Sequence, residues 1–428
     1  MSAAAPTAAP DRIDAPTAAR LAVLAGATFV YVTFEVFPVG LIHDIAADLG
    51  VGAGRVGLLI SGYAVVAAVV TIPTVALAAR VSRGTALVVS LLVLVVAELL
   101  AASATGFATM AASRVAAALT HGVLWSLIAP AAAALVPRER VGTATAVVFG
   151  GSSLAAIVGS PGTTFVGELI GWRATALLLA AATVAVTLAL VWAVRPRPTA
   201  SAPVRDGGPT APQSQSQSQS QSQSQSQSQA QAEPHGAAGP VDWPAVLALC
   251  AVAVVLIVAH FLTYTYFAVV ITEITGTSGA VVALLAVFGG AGAVGTYLIG
   301  RHNDRAPQRA AVVTMAAFAA GIGLLALACG PAPTVVRCAA AVVAVAAWGG
   351  AFAAAGPVFQ TGVMRLAGAE ADRASSVYVT GFQIGIAGGS ALGASLLGHP
   401  VAWLPLTSTV LATAVLVTVL IRRPVPGS

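Results

Sequence analysis

Lysine is missing from this chain: all 20 basic residues are arginine, set against 15 acidic ones. Charge of either sign is scarce, at 8% of the 428 residues, where a soluble domain carries about 25%. So few charges cannot cover a water-facing surface, which excludes most soluble enzymes. The three cysteines, Cys250, Cys329 and Cys338, show neither CxxC nor metal-ligand spacing. They read as small membrane-buried residues, with a Cys329–Cys338 pairing as the lesser reading. No phosphate-cradling Gly-Lys-Ser loop, HExxH or GxSxG stretch occurs, so an ATP-driven pump or hydrolytic enzyme has no machinery here. Basic patches interleaved with aromatics are also missing, so the net charge of +5 does not indicate a nucleic-acid partner.

What the chain does have is apolar length. Hydrophobic residues make up 58% of it, far too many for disorder. Apolar runs long enough to cross a bilayer cover 20–42, 56–79, 85–105, 107–136, 142–169, 173–194, 244–271, 279–300, 310–329, 334–360, 375–397 and 401–421. The expected fold class is therefore an all-α membrane protein with twelve transmembrane helices. The first run follows Asp11 and Asp14, outlasts a signal-peptide core and carries Glu35, so it reads as a retained helix.

Composition changes abruptly between Arg195 and Pro240, where Gln and Ser alternate without interruption from Gln213 to Ser228. Nothing there can bury a core, so residues 195–243 read as a flexible polar tether. It separates a six-helix bundle at 20–194 from another at 244–421, with tails at 1–19 and 422–428. With the N-terminus in the cytoplasm, 16 of the 20 arginines fall on the cytoplasmic side. Arg55, Arg173 and Arg337 lie outside, and Arg114 lies within a span. The positive-inside rule then puts both termini and the tether in the cytoplasm.

The fifth span carries Gly151, Ala155, Gly159, Thr163 and Gly167 at every fourth position. Its counterpart six spans later carries Gly381, Gly385, Gly389 and Gly393. Small residues at this spacing let helices approach closely in lipid. Equivalent stripes in both halves predict two pseudo-symmetric bundles, as in many transporters.

Charges inside spans are costly, about 2.5–3.5 kcal/mol each, so each needs a reason. Glu35 in the first span reads as a carboxylate that binds and releases a proton, or as an acid near the outer mouth that reaches water. Pro38 beside it favours a kinked, cavity-lining stretch. Arg114, Ala118, His121 and Trp125 share one face of the fourth helix. Arg114 anchors an anion, holds Glu35 as a counter-ion, or pairs with a helix-end carbonyl. His121 titrates near neutral pH or is a hydrogen-bonded packing residue; the residues alone leave both open. Glu98 in the third span is the weaker candidate for carrying a proton, with outward snorkelling as the alternative. His260 and Tyr264, four apart in the seventh span, form with Tyr266 a polar and aromatic wall for substrate, as at many ligand sites. Gln360 and Gln383 are further substrate-cavity candidates, with interhelical hydrogen bonding as the alternative.

Several stretches resemble one family. They are Thr33-Phe34-Glu35-Val36-Phe37-Pro38-Val39-Gly40-Leu41, then Asp44-Ile45-Ala46. Arg114 with His121-Gly122-Val123-Leu124-Trp125-Ser126 follows. So do Gly159-Ser160-Pro161-Gly162, Gly171-Trp172-Arg173 and Gly300-Arg301-His302-Asn303-Asp304-Arg305. Together they resemble the major facilitator superfamily, within it the drug–proton antiporter branch, and most of all the sugar efflux (arabinose efflux permease) group. Two departures stand out. The loop after the second span, Ala79-Arg80-Val81-Ser82-Arg83-Gly84, has lost the family's acid, and Gly162 comes one place early.

The resemblance implies a secondary exporter working by alternating access as a monomer. Its partners are a small-molecule substrate, protons and the lipid bilayer; its energy source is the proton gradient, with no cofactor. It further implies a gating motif at Gly300, Asp304 and Arg305, and an antiporter packing motif around Gly151, Gly159, Pro161 and Gly162, matched by Gly385 and Gly389. Arginine-only, Ala/Val-rich usage points to a high-GC bacterium and its inner membrane. An importer or facilitator of the same fold is the main rival; a membrane enzyme or receptor is the more distant one.

Overall fold

The computed structural model describes residues 14–137, 140–194, 241–302 and 306–422. The first half comprises α1 (Ala15–Gly40), α2 (Ile42–Asp48), α3 (Ala53–Ala78), α4 (Arg83–Ala102), α5 (Phe107–Ala133), α6 (Val141–Leu154), α7 (Ser160–Ile170) and α8 (Trp172–Ala193). The second half comprises α9 (Trp243–Tyr264), α10 (Phe267–Thr275), α11 (Ala280–His302), α12 (Pro307–Ala328), α13 (Thr334–Ala367), α14 (Ala371–Leu396) and α15 (Trp403–Arg422). Among the described residues there are no strands. Local sequence sets several boundaries. The Ser82 hydroxyl caps α4 at the Thr85 amide, and Asp242 caps α9 at the Ala245 amide. Gly171 and Gly276, with φ of 86° and 74°, make the turns that follow α7 and α10.

Eleven of the described helices are long and apolar enough to cross a membrane. The 26-residue α14 supplies the twelfth crossing. It is less apolar because Gly, Ser and Gln occupy the face it buries against neighbouring helices. Around the perimeter, Ile72, Leu327, Val410 and Ile421 are exposed at 67–74%, and many other large aliphatics lie open beside them. A belt of that extent is stable against lipid, not water.

Structure adds three breaks that hydropathy could not register. The first span ends at Gly40 and continues as the short α2. The seventh, expected over 244–271, stops at Tyr264 and restarts at Phe267. The fifth contains a π turn at Ala155–Gly159, immediately before Pro161. A proline withholds an N–H from its helix, and the wider turn absorbs the misfit.

Both small-residue stripes lie on helix seams, and the seams are equivalent. Gly151 packs on Ala25 and Thr28, Gly159 on Thr33 and Gly167 on Leu41, all against α1 and its end. Gly381 and Gly385 pack on Val254 and Ile257, while Gly389 and Gly393 pack on Val258, Leu262 and Tyr266. The fifth crossing thus sits on the first as the eleventh sits on the seventh. Gly162 is the exception: a Cβ there would meet nothing within 4 Å.

Two of the three arginines expected outside are fixed by carbonyls at the end opposite the chain termini. Arg173 donates to the Ala104 carbonyl and pairs with Asp48, which also accepts from the Trp172 indole. Arg337 donates to the carbonyls of Ala328 and Glu273. Terminal helix carbonyls attract cations, which accounts for these exceptions to the arginine bias.

Candidate functional site

The first half converges on His121. Its Nδ1 lies 2.5 Å from the Tyr63 hydroxyl and 3.9 Å from Glu35 Oε2. Its Nε2 lies 2.9 Å from Gln383 Nε2, so α5 is joined here to α14 of the second half. Tyr31 closes another side with its ring 5.9 Å away, and its hydroxyl donates to the Ala117 carbonyl. Trp125, one turn on, stacks on Phe149 at 5.8 Å. Buried polar groups need partners, and His121 has one on each nitrogen. Of the three residues expected to couple protons, Arg114 and His121 are buried, while the Glu35 side chain keeps 20% exposure. Glu35 is therefore the least enclosed of the three.

Arg114 neighbours the cluster but is held differently. Nη1 donates to the Phe34 carbonyl at 2.7 Å, and the guanidinium lies 4.6 Å over the Phe34 ring. Its Nε and Nη2 have no partner among the described residues. The carbonyl it holds lies within α1, not at a helix end.

Glu98 settles one of its two alternatives. It is fully buried between α4 and α8 rather than snorkelling outward, and Oε1 accepts from Thr183 at 2.9 Å. Thr183 supplies a partner only if the carboxyl turns inward, and a single apolar run does not reveal that.

The aromatic wall of the seventh crossing also differs from expectation. His260 is buried inside a nest of rings, stacked on Phe352 and Tyr264, with Nδ1 accepting from the Trp348 indole at 3.1 Å. In this conformation it is a packed core histidine. Tyr266 lies at the break after α9, where its hydroxyl donates to the Ser390 carbonyl and covers Gly57 of α3. It belongs to the seam between the halves. Gln360 is buried on α13. A crevice between α9, α13 and α14 is lined by Leu256, Ile257, Phe352, Phe359, Tyr378 and Phe382, among others. None of the predicted cavity residues lines it.

The expected gating motif lies at the edge of the described chain. Gly300 is within the last turns of α11, while Asp304 and Arg305 lie outside the described residues, as does most of the Gln-Ser tether.

Sequence reasoning missed Tyr31 and Tyr63. Tyr31 precedes Glu35 by one helical turn and shares its face, a signal that was available. Tyr63 had none, because its role depends on how α3 is rotated.

Comparison with known proteins bears on this arrangement. Residues 23–390 match the Major Facilitator Superfamily model. The chain belongs to the Major Facilitator Superfamily. It is thus a multi-pass membrane transporter of small molecules, not an enzyme. A chloramphenicol efflux pump of Mycobacterium tuberculosis (strain H37Rv) is 38% identical over 381 residues, covering 89% of this chain and 86% of that protein. A probable sugar efflux transporter of Pasteurella multocida is 27% identical over 383 residues, with coverage of 89% and 86%. Two solved structures share the fold at low identity. The nucleoside transporter NupG superposes with a TM-score of 0.68 at 12% identity, covering 94% of this chain and 98% of that one. A bacterial homologue of the human lysosomal transporter Spinster, inward-facing and unoccupied, gives 0.65 at 13%, covering 96% and 97%.

Proposed function

We propose that this transporter exports an uncharged, partly aromatic small molecule in exchange for protons. The observation that carries the reading is the Glu35–His121 pair, at 3.9 Å, beside the contact between the two halves. Glu35 takes up a proton from the less enclosed side, His121 beside it titrates as a second site, and Arg114 acts on Glu35 from two turns back along α5. The proton gradient is the energy source, and no cofactor is needed. The bundles at 20–194 and 244–421 rock about the seam as a single monomer, with 195–243 as a passive tether and Gly300, Asp304 and Arg305 as the gate on the tether side. Arginine placement supports a bacterial inner-membrane location with both termini cytoplasmic.

The efflux direction draws support from the two relatives described as efflux proteins. For substrate, the chloramphenicol efflux pump at 38% identity supports a chloramphenicol-like molecule over a sugar, whose efflux relative is 27% identical. Trp125, Gln360, Tyr264 and His260 are candidates that substrate meets in other conformations.

Purified protein in vesicles, given labelled chloramphenicol and an imposed pH gradient, tests the proposal. Uphill transport should follow the gradient and vanish in Glu35→Gln, while downhill exchange survives. Uptake indifferent to the gradient in the unaltered protein would make it a facilitator.

A further inference from the structure

Gln383 is the one second-half side chain hydrogen-bonded to the first-half cluster among the described residues. Its Nε2 lies 2.9 Å from His121 Nε2, while its Oε1 is buried with no protein partner among the described residues. An amide offers a donor on one atom and an acceptor on the other, and a half-turn exchanges them. Among the described residues nothing else holds this amide in a single orientation.

A neutral imidazole has one N–H and one lone pair, whereas the imidazolium has two N–H groups. Facing the Gln383 NH2 group, Nε2 must be the lone pair, which leaves the ring proton on Nδ1 toward Tyr63 and Glu35. When His121 takes up one transported proton, Nε2 becomes a donor and confronts another donor. The amide must then turn, and the orphaned Oε1 is the acceptor that receives Nε2–H. The step is a single proton addition at Nε2, because Nδ1 already carries the ring proton; imidazole becomes imidazolium, and the step reverses when the proton leaves Nε2. The ionisable groups around the ring are Glu35 and Tyr31 from α1, Tyr63 from α3 and Arg114 from α5 itself; α14 contributes only the uncharged Gln383.

We propose that Gln383 is a positioning residue for coupling: its amide reads the protonation of His121 and passes it to α14. That helix forms the seam with α3 through Ser61, whose hydroxyl donates to the Ala387 carbonyl at 2.9 Å, one turn beyond Gln383. An amide turned by His121 therefore changes the hydrogen bonding of α14 next to the seam on which the halves rock. This inference rests on the proton-exchange reading above.

Gln383→Met keeps length and volume but removes both hydrogen-bonding atoms. In vesicles with labelled chloramphenicol, it should lower pH-driven uphill transport by about tenfold or more and flatten the pH profile. Downhill exchange should stay within about twofold of the unaltered protein. Combined with His121→Gln it should add little, because the titrating ring that the amide reads is already gone. A second measurement needs neither a variant nor transport. Nitrogen NMR of the full chain, labelled at histidine and at glutamine side chains, should show the His121 and Gln383 signals shifting together at one midpoint as pH is varied. An unchanged pH profile in Gln383→Met, equal losses of uphill and downhill transport, or independent titration of the two signals would each overturn the proposal. Glu35→Gln separates the two levels. If it keeps uphill transport, the proton-exchange reading itself fails; if it loses uphill transport while Gln383→Met keeps it, only the role of Gln383 fails.

Discussion

Arg114 Nη1 donates to the main-chain carbonyl of Phe34 at 2.7 Å. That carbonyl is available because the residue four positions on is Pro38, which has no N–H to complete the helical ladder. A proline in one helix and a buried arginine in another thus satisfy each other's surroundings. The contact also fixes where the backbone of Glu35 lies relative to α5.

The pair is open to a double-mutant cycle. Arg114→Lys should destabilise the protein, since a point charge cannot keep both the carbonyl bond and the ring contact. Pro38→Ala restores the missing helical donor and should reduce the further loss caused by Arg114→Lys. A coupling energy of about 0.5–3 kcal/mol in thermal melts is expected. Strict additivity would mean that the carbonyl does not matter to Arg114.

Glycine substitutions should divide by position. Gly159→Leu and Gly385→Leu drive side chains into Thr33 and Ile257, and overpacking of that kind costs about 1–3 kcal/mol or more. Gly162→Ala meets nothing. Its melting temperature should stay level or rise, by at most about 1 kcal/mol of stability from better helix propensity. Comparable damage at all three positions would contradict the seam assignment.

Thr183→Val removes the hydroxyl that Glu98 Oε1 accepts from and should cost about 1–3 kcal/mol, the penalty for a buried polar group left unpaired. Thr183→Ser, which keeps the donor, should recover most of that loss. Equal behaviour of the two variants in melts would place Glu98 in contact with water.

Deleting Gln213–Ser228 should leave gradient-driven transport within about twofold, because closure of a flexible linker depends only weakly on its length. Abolished transport in a correctly inserted deletion protein would give the repeat a function of its own.

Composition alone determined that this is a membrane protein, and hydropathy located its crossings to within a few residues. It could do so because lipid imposes a requirement that each segment must meet by itself: enough apolar length and no exposed backbone. The small-residue stripes at Gly151–Gly167 and Gly381–Gly393 were legible for the same reason, since a fixed spacing marks one helix face whatever packs against it. Glu35, Arg114 and His121 were visible because charge in an apolar run is rare. Their partners were not. The bond from His121 to Gln383 spans 262 residues, and that to Tyr63 spans 58. The inward turn of Glu98, the capture of the Phe34 carbonyl by Arg114 and the enclosure of His260 by rings are of the same kind. Each depends on how far one helix is rotated and slid against another. That freedom leaves no trace in a local average and is fixed only when all the side chains pack together.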